Sequence, residues 1–400
     1  MKKNIFLIIV ITAQLFASDL LLLHKQKQEI QVQKLKEIKA SHKSQRYNWI
    51  LPLNLSLSKS KSKSAIDNTY NTVDNISVNL NQDIFRSGGI YYTLSYADRQ
   101  KNYALLSWEK ENADLYQQVY STTLNLKQLR LQLKQSSYRL KNFDIEIFLK
   151  KEQYKIGTVD MTLLNSAIMD KNEELRRMIT IKESIASTEK ILKKLTPLSY
   201  EKIDVPTFTM VSKKDYMDVN YVINQAAIQS DLSNDQYKIT KSSYLPYLSI
   251  NAELGYQDYE YKTYATNYDG DYHSVGLTLK MPLDFNTNSI LEEQRAAYLQ
   301  AKLTIEDEKI AQDAEYEESQ SLIKNYQEYI EVTRKNLALY DELITMTKQG
   351  FKAGYKSGYD LQTIENTRII DALEIEINET NIQLELLKLH FAQQQRIDHG

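Results

Sequence analysis

Residue types that support chemistry are few and scattered in this sequence. The 400 residues contain no cysteine, which excludes disulfide bonds, thiolate ligands and cysteine nucleophiles. The five histidines do not have the spacing of a metal site: they are His24, His42, His273, His390 and His399. The sequence also lacks a phosphate-binding loop, a nucleophile elbow and a supported carboxylate pair. We therefore predict no enzyme activity, no cofactor and no metal.

Two aspartates are of interest because each follows a glycine that interrupts a long helical segment. Asp160 comes shortly after Gly157, and Asp360 comes shortly after Gly354. Carboxylates at helix N-termini are favourable by ~0.3 to 1 kcal/mol because they oppose the helix dipole. Repeated around an axis by symmetry-related copies, the same charges would instead form an acidic gate that favours cations. The residues alone leave both interpretations open.

The composition favours long regular elements. Ten glycines and five prolines leave residues 90–156, 158–196, 283–349 and 359–399 free of both chain breakers. The first of these segments would reach roughly 100 Å as one helix, which no globular core requires. Lys plus Arg (50) nearly balance Asp plus Glu (52), which argues against a nucleic-acid partner.

The first residues have the pattern of an export signal. Lys2 and Lys3 precede an apolar run that continues to Phe16, and Ala17 is the expected cleavage point. The run is shorter than the roughly 20 residues that a membrane-spanning helix needs. We therefore expect a signal peptide over residues 1–17 and an exported protein.

Two segments carry the same heptad pattern, with spacings of three and four residues that predict left-handed coiled coils. The first series is Leu126, Leu129, Leu133, Ser136, Leu140, Phe143, Ile147, Lys150 and Tyr154, and the second is Ile323, Tyr326, Ile330, Thr333, Leu337, Tyr340, Ile344, Thr347 and Phe351. Their constant offset is 323 minus 126, or 197 residues, and Gly157 and Gly354 share it. We predict a duplicated unit in which a long helix turns at a glycine tip and a second helix returns.

Two strand-like segments precede each long helix. Their apolar residues alternate with polar ones, which predicts strands with one face of each kind. The apolar residues are Leu53, Leu55 and Leu57, then Ile76, Val78 and Leu80, then Leu248, Ile250, Ala252, Leu254 and Tyr256, and finally Val275, Leu277, Leu279 and Met281. Such strands of about ten residues are typical of membrane barrels. A soluble β-sandwich is the alternative. The capping-box spacing of Ser289 and Glu292 predicts that the following helix begins there.

Four strands are too few to close a membrane barrel, because the smallest have about eight. Unpaired edge groups are not tolerated in hydrocarbon, so the missing strands must come from other copies of the chain. Three copies of four strands would supply twelve. Lys59, Lys61 and Lys63 continue the leucine face, where they would meet either lipid phosphates or only water. Tyrosines crowd the second hairpin loop, among them Tyr264, as in an aromatic girdle.

At this point the chain resembles the outer membrane efflux protein family, the TolC-like channels. The segment 78–89 is similar to the family's strand-to-helix signature through Gln82, Phe85, Gly88 and Gly89. The second copy of the signature keeps Pro282, but Asp284 stands where the family usually has Phe. Residues 348–363 are similar to the family's glycine turn before an Asp-bearing helix.

The resemblance implies a mainly α-helical protein with a small membrane β-barrel part. Its duplicated strand-strand-helix-helix units would form, in a homotrimer, a twelve-stranded barrel and a coiled-coil α-helical tunnel. The implied function is that of an outer-membrane exit channel in a tripartite efflux or type I secretion system. The barrel would lie in outer-membrane lipid and the helices in the periplasm, where a periplasmic adaptor and an inner-membrane transporter are the implied partners. Drug efflux, metal efflux and protein secretion are equally compatible with the sequence.

The resemblance also implies roles at the helix tips. Asp360 lies where some members carry a constriction aspartate, Thr363 lies at the place of a second one, and Lys356 lies where a basic gate partner can occur. Asp160 is a further gate candidate. Adaptor-contacting tips would be marked by Gly157, Thr158, Gly354 and Tyr355.

The predicted domain order follows from these assignments. It comprises the signal peptide (1–17), an N-terminal helix (18–48), the first β-hairpin (49–85), the first helical hairpin (86–196), a linker and equatorial region with a helix (197–245), the second β-hairpin (246–285) and the second helical hairpin (286–400). The alternative function is a periplasmic coiled-coil adaptor or scaffold without a pore, in which the glycine tips are simple hairpin turns.

Overall fold

The structure is a computed structural model that describes residues 22–394 except 64, 66, 67 and 262–265. These residues are mainly α-helical and include one small antiparallel sheet, which confirms the coarse fold class predicted from the sequence. The signal peptide predicted for residues 1–17 lies outside the described residues, as do Tyr264 and His399.

The secondary structure alternates pairs of strands with long helices. In chain order the elements are α1 (Lys25–Tyr47), β1 (Asn54–Lys63), β2 (Tyr70–Phe85), α2 (Gly89–Lys155), α3 (Met161–Leu195), a 3-10 turn (Tyr200–Lys202), α4 (Lys213–Asp218), α5 (Tyr221–Ser243), β3 (Tyr247–Tyr261), β4 (Thr266–Lys280), α6 (Thr287–Lys352) and α7 (Gly358–Phe391). Helices α2 and α6 have 67 and 66 residues and lie largely within two of the segments predicted to lack chain breakers, although α2 begins at Gly89 and α6 continues through Gly350. Within the described ranges, no helix is both long and apolar enough to cross a membrane.

The described residues form two compact units. The helical unit comprises residues 22–32, Glu109–Tyr221 and 309–394. The sheet unit comprises Gln33–Trp108 and Val222–Glu308.

The sheet has the strand order β1-β2-β3-β4, with every neighbouring pair antiparallel. Its apolar face is exposed: the side chains of Leu55 and Leu277 are 66% and 67% accessible. The opposite face is polar, and there the Ser249 hydroxyl donates to Asp83 over 2.7 Å. The alternation predicted from the sequence is therefore confirmed in this sheet.

In the helical unit, α6 buries one narrow stripe. The heptad residues from Ile323 to Thr347 are buried or half-buried, whereas Tyr329, Val332 and Leu339 between them are exposed. This burial pattern is the one that a heptad produces when a helix packs along a single seam.

A small buried cluster with polar contacts lies next to the N-terminal end of this stripe. Tyr216, Tyr316 and Leu389 pack together, and Gln312 accepts hydrogen bonds from the Tyr216 hydroxyl and the Asn220 amide, each over 2.8 Å. Burial, with a smaller contribution from the Glu315 charge, raises the pKa of Tyr216 to about 12. The phenol therefore stays protonated and remains a hydrogen-bond donor at neutral pH.

The predicted start of the second long helix at Ser289 is wrong by two residues. Helix α6 begins at Thr287, and Asp284 accepts hydrogen bonds from residues at this start. The Asp284 carboxylate accepts the Asn286 backbone N–H over 2.9 Å, and its carbonyl accepts the Thr287 hydroxyl over 2.7 Å. The aspartate that departs from the family signature thus takes part in the turn from β4 into α6.

Candidate functional site

The first helical turn closes through main-chain hydrogen bonds around a left-handed glycine. Gly157 has a φ of +78°, and its N–H donates to the Tyr154 carbonyl over 3.0 Å. The Thr158 N–H and hydroxyl both donate to the Gln153 carbonyl, each over 3.0 Å. The two main-chain bonds, one nested inside the other, are those of a Schellman motif, which ends α2.

The second turn repeats this geometry 197 residues later. Gly354 has a φ of +81°, its N–H donates to the Phe351 carbonyl over 3.1 Å, and the Tyr355 N–H donates to the Gly350 carbonyl over 2.8 Å. A Cβ on Gly350 would lie 2.9 Å from the Lys356 Cγ, so a larger residue there would displace the Lys356 side chain. The internal duplication predicted from the heptads therefore extends to individual hydrogen bonds at the tips.

The two candidate aspartates occupy different positions in their helices. Asp160 is the N-cap of α3 and accepts the Leu163 N–H over 3.1 Å, and its counterpart at the 197-residue offset is Ser357, the N-cap of α7. Asp360 lies three residues into α7 and completes a capping box with Ser357. The expectation that both lie at helix N-termini is met, but they are not equivalent residues.

The carboxylate of Asp360 is held in its charged form. It accepts the Ser357 backbone N–H over 2.9 Å and the Ser357 hydroxyl over 3.0 Å. These hydrogen bonds, with the nearby Lys356 charge, lower the pKa of Asp360 below its ordinary value. The tip consequently carries a negative charge throughout the neutral range.

One groove in the helical unit collects two of the three predicted gate residues, Lys356 and Asp360, together with Thr363. Lys356, Asp360 and Thr363 line it from the second turn and α7, facing Glu146 and Lys150 of α2, and its volume is about 460 Å³. Glu146 and Lys150 form an ion pair of 3.0 Å in the same wall. Asp160 lies outside this lining, so the structure brings together Lys356 and Asp360 but not Asp160.

The remaining tip residues lie on the surface. Ile156 and Tyr355 are 75% and 86% exposed, and Thr158 and Gly157 beside them are also accessible. No hydrogen bond of the two turns requires the side chain of Ile156 or Tyr355. The tips therefore offer an isoleucine and a tyrosine side chain that the hydrogen bonds of the turns do not use.

A ladder of polar side chains that was not predicted from the sequence joins α2 and α7. Gln128 donates to Asn381 over 2.9 Å, Gln135 donates to Glu374 over 2.8 Å, and Asn142 donates to Thr367 over 3.2 Å. The three α2 residues are spaced by seven, as are the three α7 residues in the opposite direction. A polar residue recurring at one position of every heptad was the available signal.

The strand-to-helix signature shapes the entry into β1 and the start of α2. Gln82 accepts the Leu51 N–H over 2.8 Å and donates to the Trp49 carbonyl over 3.1 Å, which fixes the entry into β1. Gly88 has a φ of +89°, and a Cβ on Gly89 would overlap the Ser242 hydroxyl. The first glycine therefore serves the turn and the second serves close packing of α2 against α5.

The other two signature residues, Phe85 and Pro282, lie on the surface of the single chain. Phe85, the last residue of β2, is 53% exposed, and Pro282, just after β4, is exposed as well.

Three of the four described histidines make contacts within the fold. His24 bonds the Lys193 carbonyl over 2.7 Å, His42 bonds Asp98 over 2.7 Å, and the His390 ring lies 5.1 Å from that of Phe208, while His273 is exposed on β4. Among the described residues, no group of three or more potential metal ligands is close enough to hold an ion.

The fold defined by these helices and this sheet is that of outer-membrane channels. VceC, an outer membrane protein of Vibrio cholerae, aligns with a TM-score of 0.72 at 15% identity, over 92% of this chain and 93% of that chain. The CmeC outer membrane channel of Campylobacter jejuni aligns with a TM-score of 0.72 at 14% identity, over 95% and 86%. At these identities the likeness establishes the fold.

Part of the chain also matches a family model. Residues 219–367 match the model of the outer membrane efflux protein family, which confirms the predicted resemblance. No curated protein matches the chain.

Proposed function

We propose that this protein is the outer-membrane exit channel of a tripartite efflux or type I secretion system. Three copies would close a twelve-stranded barrel in outer-membrane lipid, and their long helices would form a periplasmic tunnel. The channel would conduct passively what an inner-membrane transporter and a periplasmic adaptor deliver, without enzymatic activity or a cofactor.

The observation that carries this proposal is the sheet of a single chain. It exposes a continuous apolar face, with Leu53, Leu55, Leu57 and Leu279 all 66–70% accessible, and opposes it with a hydrogen-bonded polar face. An exposed leucine face is costly in water, whereas lipid removes this cost. The edge strands β1 and β4 have unpaired sides that hydrocarbon does not tolerate, so further copies must pair with them.

The experiment is extraction and reconstitution of the full chain. We expect the protein to require detergent for release, to migrate as a trimer that heat dissociates, and to give ion conductance in planar bilayers. A chain released by salt alone as a monomer would refute the channel and would favour the periplasmic scaffold.

The helix tips are the proposed gate and docking region. Asp360 and Lys356, which share one groove, would form the constriction, and Asp160 would add an outlying acidic charge. Gly157, Thr158, Gly354 and Tyr355 would contact the adaptor.

Charge and capping are separable at this gate. Asp360→Asn removes the charge, whereas Ser357→Ala removes the cap and keeps the charge. We expect Asp360→Asn to raise conductance through the closed end and reduce cation preference, and Ser357→Ala to leave cation preference unchanged. Asp160→Asn keeps a capping oxygen, so any loss of cation preference in this variant comes from the charge. Equal effects of Asp360→Asn and Ser357→Ala would contradict a charged gate.

A further inference from the structure

The two edge strands of the sheet carry complementary outward faces. On β1 the outward residues Leu55 and Leu57 are followed by Lys59, Lys61 and Lys63. On β4 the outward residues Leu279, Leu277 and Val275 are followed, toward the same end of the sheet, by His273, Asp271 and Asp269. Each edge thus has an apolar band and then a charged end, with opposite sign on the two edges.

The pairing registers show that these residues share one face. Leu57 lies opposite Ile76, Ile76 lies opposite Tyr256, and Tyr256 lies opposite Asp271. Directly opposed residues of antiparallel strands point to the same side, so the odd-numbered residues of β1 and β4 all face outward together.

We propose that β1 of one copy pairs antiparallel with β4 of a second copy, with Leu55 opposite Leu277. This register places Lys61 opposite Asp271 and Lys63 opposite Asp269 across the seam. The inference rests on the proposed function, because it specifies how the copies of that channel join.

Hydrophobic matching selects this register. Leu53, Leu55 and Leu57 then face Leu279, Leu277 and Val275, which are 70%, 67% and 75% exposed in the single chain. An alternative register continues the rows of directly opposed residues straight from one copy into the next, without a shift along the strands. It would place Lys59 opposite Asp269, but it would also place Leu57 opposite Asp271. A shift by an odd number of residues would turn one apolar face into the lumen.

The stagger also agrees with barrel geometry. Relative to the unstaggered rows, the proposed register is displaced by four residues per copy, or about 13 Å along the strands. Four strands span about 19 Å across the sheet, so the strands tilt by about 35°. Closed membrane barrels have tilts of roughly 35–45°.

Contacts within one chain hold the charges at this end. Lys61 and Lys63 lie with their Nζ atoms 4.7 and 5.6 Å from the Tyr70 ring centroid, and the Tyr256 hydroxyl donates to Asp269 over 2.8 Å. The second carboxylate oxygen of Asp269 can accept from a lysine of the neighbouring copy.

Cysteine cross-linking tests the register directly because the chain contains no cysteine. The variant Leu55→Cys/Leu277→Cys is oxidised in membranes and compared with Leu55→Cys/Val275→Cys and Leu55→Cys/Leu279→Cys. We expect the first pair to give at least about tenfold more intermolecular disulfide, because an offset of two residues carries the Cβ atoms beyond disulfide reach. Stronger cross-linking in either offset pair, or none in trimers, overturns the register.

The size of the unoxidised protein in detergent separates this failure from failure of the channel proposal. A trimer that cross-links in another register refutes only the seam, whereas a monomer refutes both.

A charge reversal gives a second readout. Lys61→Asp with Lys63→Asp should greatly reduce the heat-resistant trimer, and adding Asp269→Lys with Asp271→Lys should restore it. Absence of restoration, in protein that still reaches the membrane, would contradict the ionic pairing.

Discussion

Gly354→Ala should loosen the second helical turn by a predictable amount. Gly354 has a φ of +81°, and a Cβ built on it meets no atom within 4 Å, so the cost is that of the backbone conformation alone. A left-handed backbone costs an L-residue roughly 1–2 kcal/mol. Asparagine adopts this conformation more readily, so Gly354→Asn should cost less.

Hydrogen exchange of the full-length protein measures this cost at the affected bond. The Tyr355 N–H donates to the Gly350 carbonyl over 2.8 Å, so its protection reports whether the turn is closed. A cost of 1–2 kcal/mol corresponds to roughly a 5- to 30-fold loss of protection in Gly354→Ala.

Gly276→Ala is the matched control, since its Cβ also enters open space but its φ is not positive. It should leave protection of Tyr355 unchanged. Equal protection in Gly354→Ala and wild type, or an equal loss in Gly354→Asn, would refute the argument that backbone handedness closes this turn.

Three further predictions concern packing and pH. Gly89→Ala should destabilise the protein by about 1–3 kcal/mol in denaturant unfolding, because its Cβ overlaps the Ser242 hydroxyl, and adding Ser242→Gly should recover most of the loss. Gln135→Leu should lower the free energy of unfolding by about 1–3 kcal/mol because Glu374 loses a buried hydrogen-bond donor. The double variant Gln135→Leu/Glu374→Leu should lose less stability than Gln135→Leu alone, and thermal melting of both variants measures the difference. Burial lowers the pKa of His390 from 6.5, so on acidification the unfolded chain binds this proton before the folded chain does, and the free energy of unfolding falls as the pH drops below about 6.5. His390→Gln should make the free energy of unfolding less dependent on pH between about pH 7 and 5. An unchanged pH dependence in this variant would contradict the prediction.

The sequence predicted long-range order well where a simple period governs it. The offset of 197 residues correctly related Gly157 to Gly354, because the left-handed turn tolerates few other residues. The alternation of Leu53, Leu55 and Leu57 correctly gave the exposed face of β1, because a strand has a fixed side-chain period.

Local capping and inter-helix pairing were harder to predict. The start of α6 was misplaced because Ser289 has a suitable spacing, but the hydrogen bonds that begin the helix are made by Asp284, three residues before its first residue. The ladder through Gln135 was missed because a heptad identifies a seam but not the partner helix. The grouping of Lys356 with Glu146 depends on three-dimensional packing of segments about 200 residues apart, which no local pattern reports.

The main-chain closure of the two tips has a consequence for how such a protein diversifies. The glycine conformation and the carbonyl acceptors reverse the chain direction at each tip. The exposed side chains of Ile156 and Tyr355 therefore contribute almost nothing to the stability of the turns. Substitutions at these two residues can accumulate in evolution and adapt the tips to a new binding partner, while the helical hairpins keep their conformation. At these tips the main-chain atoms thus determine the fold of the turn, whereas the exposed side chains are available to determine which partner binds.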